Sequence, residues 1–102
     1  MTRIEHLPDL EAAPHANVFP DREPKTVKLS LDAGERVPPH DHPDREIVLY
    51  LLDGALRLEL GGETHALKAG DVARFDGDQQ ISPVADEPST ALLVLAKSAE
   101  TE

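Results

Sequence analysis

From residue 25 onward the chain is patterned in twos. Val27, Leu29 and Leu31 alternate with Lys28 and Ser30, and Leu56, Leu58 and Leu60 alternate with Arg57 and Glu59. Apolar residues at every second position turn one face of an extended strand toward a core and the other toward water. Between these stretches lies the apolar run Ile47 to Leu52; after them come Glu63 to Leu67, Val72 to Phe75, Ile81 to Ala85 and Thr90 to Ala96. Turn chemistry separates them: Asp32-Ala33-Gly34, Pro43-Asp44-Arg45, Asp53-Gly54, Gly61-Gly62 and Lys68-Ala69-Gly70-Asp71, with polar loops at Asp76 to Gln79 and Asp86 to Ser89. Glu35 to His42 is extended, because Pro38 and Pro39 exclude helix there. Short strands with a turn signal every 8–12 residues or so predict an all-β sandwich or barrel. A closed or nearly closed sheet would remove most of its exposed edges.

Residues 1–24 lack such a period and carry Pro8, Pro14, Pro20 and Pro24. They read as an irregular N-terminal arm with a helical turn around Pro8 to Ala13 or a short edge strand. The expected organisation is this arm, a β domain over 25–97 and a polar tail over 98–102. Sheet edges in so small a domain, together with an arm able to pair with a neighbour, predict a homodimer.

Composition sharpens this picture in three ways. There is no cysteine, which excludes disulfides, thiolate metal sites and a cysteine nucleophile. Aromatic residues make up only 3% of the 102, so the core must be aliphatic. Twenty acidic against ten basic residues give a net charge of −10, which argues against nucleic acid and anionic membranes as partners. The longest apolar run is far too short to span a bilayer, and no signal-peptide pattern opens the chain; the expected location is the cytoplasm. With only four lysines, at 25, 28, 68 and 97, the acid-rich, aromatic-poor composition resembles that of proteins from salt-loving archaea.

The segment richest in chemistry runs from Gly34 to Glu46. In an extended chain His40 and His42 share a face, so two imidazoles can meet one divalent ion, while Asp41 points away. Glu46, beyond the Pro43 turn, could return a carboxylate to the same ion. Such a nitrogen and oxygen set suits Zn, Ni, Mn or Fe without choosing among them. His65 shares a face with Leu67 and Glu63, and His6 and His15 lie in the arm with no assigned role beyond solvation.

Here the chain resembles the cupin family. Its first motif is a glycine, five residues, His-x-His, three or four residues, Glu, six residues and a glycine. Gly34, His40, His42 and Glu46 keep that spacing, but seven residues rather than six precede Gly54. The second motif is matched in its first half by Gly62, then Lys68-Ala69-Gly70 with Lys in place of Pro, and Gly70-Asp71-Val72 resembles the opening of the next strand. The likeness covers Val27 to Leu95 and implies a small double-stranded β-barrel of jelly-roll type, usually dimeric, with any site inside it. It implies His40, His42 and Glu46 as metal ligands.

Two departures qualify that set. Counting back from Gly54 places Ile47 where the family's Glu points inward, so Glu46 reaches the ion only across a bulge. The family's late His is absent: counting from Gly70 lands on Ile81, and counting from Gly77 lands on Gln80, whose carbonyl oxygen is a weaker ligand.

Other chemistries find no support. Phosphate-loop and nucleophile-elbow patterns are missing, and Asp76-Gly77-Asp78 lacks the spaced ligands of an EF-hand. Arg36, Arg57 and Arg74 read as surface partners of acids, and Tyr50 and Phe75 as core. The functional expectation is a small cupin holding a divalent metal through His40, His42, Glu46 and Gln80, with possible turnover of a small polar substrate. The alternatives are a metal-free small-ligand binding or sensing module and a structural cupin with a degenerate site.

The halophile-like composition yields a direct test. The melting temperature should rise from low to molar KCl; a flat or falling curve contradicts the salt-adapted reading.

Overall fold

The computed structural model describes residues 2–98. A 3-10 turn at Leu7–Asp9 is followed by six strands: β1 (His15–Asn17), β2 (Lys25–Leu31), β3 (Arg45–Leu60), β4 (Glu63–Lys68), β5 (Val72–Asp76) and β6 (Ile81–Lys97). The pairing is antiparallel throughout, in the order β1-β2-β6-β3-β4, with β5 also on β3. No helix of the described residues is long and apolar enough to cross a membrane.

Two long strands organise everything else. β3 and β6 pair from Arg45 opposite Lys97 to Leu60 opposite Ile81, with register shifts between Leu51 and Leu56. The first half of β3 carries β5 on its free side, and the second half carries β4. The second half of β6 carries β2, while its first half is bridged by Arg36 opposite Val84 and His40 opposite Ile81. Each long strand thus runs through both halves of a folded-over sheet.

The register shifts follow from alternation. Before them Ile47, Leu49 and Leu51 face the core opposite Leu95, Leu93 and Ala91; after them Leu56 and Leu58 face it opposite Ala85 and Pro83. The inward residues of β3 change from odd to even numbers while those of β6 stay odd. An irregularity that adds a residue to one strand does this, because side chains alternate strictly. The result is one continuous aliphatic core, in which Leu49 and Leu51 are 0% exposed.

Several expectations change here. The turn at Asp53-Gly54 and the loop at Asp86 to Ser89 are not breaks: both stretches belong to continuous strands that bend together. Asp53, Asp86 and Glu87 there face water, whereas Ser89 is buried against Gly54. The sheet does not close by strand pairing either; its path ends at β1 and β4, and the two halves meet through core side chains. The all-β architecture is as the pattern predicts, and its folded-over, double-stranded form is what the resemblance implies.

The arm docks on its own domain. The Lys28 amine, in a buried residue, donates to the Leu7 and Leu10 carbonyls at 2.8 and 2.9 Å, and β1 pairs with β2 of the same chain. The expected helical turn is a three-residue 3-10 turn, and the edge strand also forms. Opposite the core, Val48, Tyr50, Leu52 and Val72 remain exposed on the outer face of β3 and β5. The polar tail expected over 98–102 lies, beyond Ser98, outside the described residues.

Gly54 sits at the bend with φ of +94°, where a Cβ would run into Ser89 Oγ and the Pro88 carbonyl. The Ser89 hydroxyl there accepts from Ala55 N–H at 3.1 Å, tying the two bends together. Gly54→Ala should therefore lower unfolding free energy by about 2–4 kcal/mol, combining backbone strain with overpacking. Urea unfolding measures it; a change within about 0.5 kcal/mol, the range of neutral surface substitutions, would contradict this role.

Candidate functional site

A pocket of about 290 Å³ opens between β1, β2, β6 and the His40–His42 segment. Val27, Leu29, Ile47, Leu93 and Leu95 form its apolar walls. Its polar groups are His15, Asn17, Lys25, His40 and His42. A hollow of about 370 Å³ elsewhere is lined by Asp32, Glu35 and Asp53, without an imidazole.

Backbone contacts place the two central histidines. His40 exchanges hydrogen bonds with Ile81: its N–H donates at 3.1 Å, and its carbonyl accepts from Ile81 N–H at 2.7 Å. His42 N–H donates to the Gly77 carbonyl at 2.8 Å, and Gly77 N–H donates to the Arg45 carbonyl at 2.8 Å. A Cβ at Gly77 would collide with the His42 carbonyl, so this close approach requires glycine.

The rings meet edge to face, centroids 4.8 Å apart at 85°. His40 Nδ1 lies 2.9 Å from the Pro38 carbonyl, which can only accept, so Nδ1 carries the proton and Nε2 presents its lone pair. His42 Nε2 is 3.0 Å from that atom and donates to it when both rings are neutral. Burial foremost, then repulsion from His40 and Lys25, holds the His42 imidazole below the ordinary histidine range; Asp41 opposes this and His15 adds to it. His15 is shifted the same way by burial, then by His40 and Lys25. These shifts favour neutral rings at pH 7, ready to act as lone-pair donors or N–H donors.

The other two expected ligands are elsewhere. The Glu46 carboxylate accepts from Arg74 Nη2 at 2.7 Å, across the outer face of the β3–β5 pair, while Ile47, 1% exposed, lines the pocket. The bulge that would have turned Glu46 inward lies at Leu51 to Leu56, too far along to reverse residue 46. Gln80 is exposed and borders a separate hollow with Glu59, Gly61 and Ser82, whereas its neighbour Ile81 lines the pocket. His65 is half exposed on β4, 3.6 Å from Glu63, and does not line the pocket. Among the described residues, no group of three His, Asp or Glu side chains converges closely enough to hold a metal ion.

His15 is the pocket residue that sequence reasoning missed. β1 brings it opposite Leu29, an inward residue of β2, and puts Asn17 opposite Val27. The available signal was the alternation of His15 and Asn17 with Ala16 and Val18, both of which are buried.

Known proteins share this arrangement of strands. The cupin-domain family model matches residues 27–95, the same stretch that carries the motif spacing. The chain belongs to the cupin family. Solved structures agree: a cupin protein from Bacteroides fragilis is 30% identical, with a TM-score of 0.69, over 76% of this chain and 69% of that one. KdgF from Halomonas sp. is 28% identical at a TM-score of 0.67, over 79% of this chain and 74% of its own. An uncharacterized protein with a double-stranded β-helix domain from Klebsiella pneumoniae shares the fold at a TM-score of 0.79 and 19% identity, covering 99% of this cupin and 95% of that chain. No curated protein matches the sequence.

Proposed function

We propose that this cupin is a small-ligand-binding module in which the pocket, rather than a tightly held ion, provides recognition. One observation carries this reading. Family spacing leaves Glu46 or Ile47 for the inward Glu and Gln80 or Ile81 for the late His, and of these Ile47 and Ile81 line the pocket. Tight transition-metal sites normally use three or more protein ligands, whereas only His40 and His42 present adjacent nitrogens here. Glu46 is committed to Arg74, and turning it inward would break an ion pair and reverse a strand residue. The two isoleucines contribute apolar wall, the usual surface of a small-molecule site. A volume of about 290 Å³ suits a small ligand, with the histidine pair as a polar anchor.

A second reading retains the divalent ion on His40 and His42. Two nitrogens bound at about 2.1 Å to one ion at 90–109° stand about 3.0–3.4 Å apart. The 3.0 Å between the Nε2 atoms falls within that span. On this reading the remaining positions belong to water or ligand, and the ion would serve as a Lewis acid for a polar group.

Elemental analysis separates the two. Untagged protein equilibrated with Zn, Ni, Mn and Fe and then gel-filtered should retain far less than one ion per chain. The double variant His40→Ala, His42→Ala should lose any residual metal while keeping its melting transition. A stoichiometry near one that disappears in that variant would replace the first reading with the second.

A further inference from the structure

The distribution of charge around the pocket is as informative as its shape. The chain carries 20 Asp and Glu residues, yet none of the twelve residues lining this pocket is acidic. Three of the five histidines line it, together with Lys25 and Asn17. In a chain of net charge −10, this is a segregated patch of neutral polar side chains around the single charge of Lys25.

Two acids, Asp21 and Glu23, border the adjoining hollow with Asn17 and Lys25, and Asp21 makes no ion pair among the described residues. Glu23 lies beside Lys25 there, but Arg45 holds it with two bonds of 2.7 and 3.2 Å. The hydrogen bond from Arg45 lowers the Glu23 carboxyl's pKa from its ordinary value. Lys25 makes no ion pair among the described residues and is exposed at the rim. Asp41 acts on His42 from outside the lining. At physiological salt the Debye length is about 8 Å, so the remaining surface carboxylates are largely screened from a ligand at this rim. Groups in contact with it are not.

Building on the ligand-pocket reading, we propose that the occupant is a small organic monoanion with an apolar body. Its acid group sits at the rim formed by Lys25, Asn17 and His15, and its body lies against Val27, Leu29 and Leu93. A carboxylate accepts hydrogen bonds only, and the ammonium of Lys25, the amide of Asn17 and an imidazole N–H all donate. A cationic ligand would meet no lining carboxylate, and a fully polar one would leave the aliphatic walls unpaired.

Hexanoate, 1-hexanol and hexylammonium share one apolar body and differ in charge, so they serve as probes. Each is titrated into metal-stripped, 15N-labelled protein while amide resonances are followed. Hexanoate should shift amides in His15–Asn17, Lys25–Leu29 and His40–His42 and bind about fivefold or more tightly than hexanol, with hexylammonium weakest. Lys25→Glu should weaken hexanoate about tenfold and Lys25→Met by less, each by a larger factor than it changes hexanol. Hexanol binding as tightly as hexanoate, or a Lys25→Glu variant with unaltered hexanoate affinity, overturns the anion assignment while the ligand pocket stands. Failure of all three probes to perturb these amides overturns the pocket reading as well.

Discussion

The pairing of β3 with β6 along nearly their whole lengths is the constraint on which the rest of this cupin depends. Fourteen partnered positions hold the two strands together, and a single irregular stretch near Gly54 shifts the register between their two halves. Once that register is set, every side chain on β3 is committed to one face. Ile47 enters the pocket beside Leu95, and Glu46 goes outward to Arg74. A one-residue slip would exchange the two and expose the core leucines, so the aliphatic interior itself enforces the site's chemistry. Removing a core leucine of this kind typically costs about 2–5 kcal/mol, more than an exposed ion pair such as Glu46–Arg74 contributes.

On the proposed reading the pocket is a cupin interior in which Ile47 and Ile81 stand where family spacing allows polar ligands. His40 and His42 lie ahead of β3, so the alternation along β3 does not set which way they face. They are held by backbone bonds to Ile81 and Gly77, and Gly77 is small enough for the His42 carbonyl to rest against it. The chemical result is a pair of hydrogen-bonded imidazoles at the end of an aliphatic cleft, with Lys25 and the β1 side chains at its mouth.

Much of the fold was legible in the chain because alternation is a local signal. The strands carrying Val27 to Leu31 and Leu56 to Leu60, the turn at Pro43 and the shared face of His40 and His42 all rest on neighbours a few residues apart. The direction of Glu46 was half legible. The extra residue before Gly54 could be counted, but whether it reversed residue 46 depended on where the bulge lay, and that is set by long-range pairing with β6. The same holds for Gln80 and Ile81, whose facing is fixed by the bridge to His40. His15 was legible only as far as its alternation with Ala16 and Val18, which says nothing of what it faces. Its position comes from the docking of an aperiodic arm, pinned by the Lys28 amine on carbonyls 18 and 21 residues away. The continuity of β3 through Asp53-Gly54 was hidden for a related reason: a positive-φ glycine marks a turn and a bulge equally well.

The sharpest measurement puts a third imidazole where the register says one would face the histidine pair. Nickel affinity of the Ile81→His variant, determined calorimetrically beside the parent chain, addresses this directly. If Ile81 and Ile47 stand at the lost ligand positions, Ile81→His should bind one nickel ion about 100-fold or more tightly than the parent, as a three-imidazole site does relative to two. Unchanged affinity in a folded Ile81→His variant, or parent binding that is tight and falls when Glu46 becomes Gln, would contradict this register and the pocket built on it.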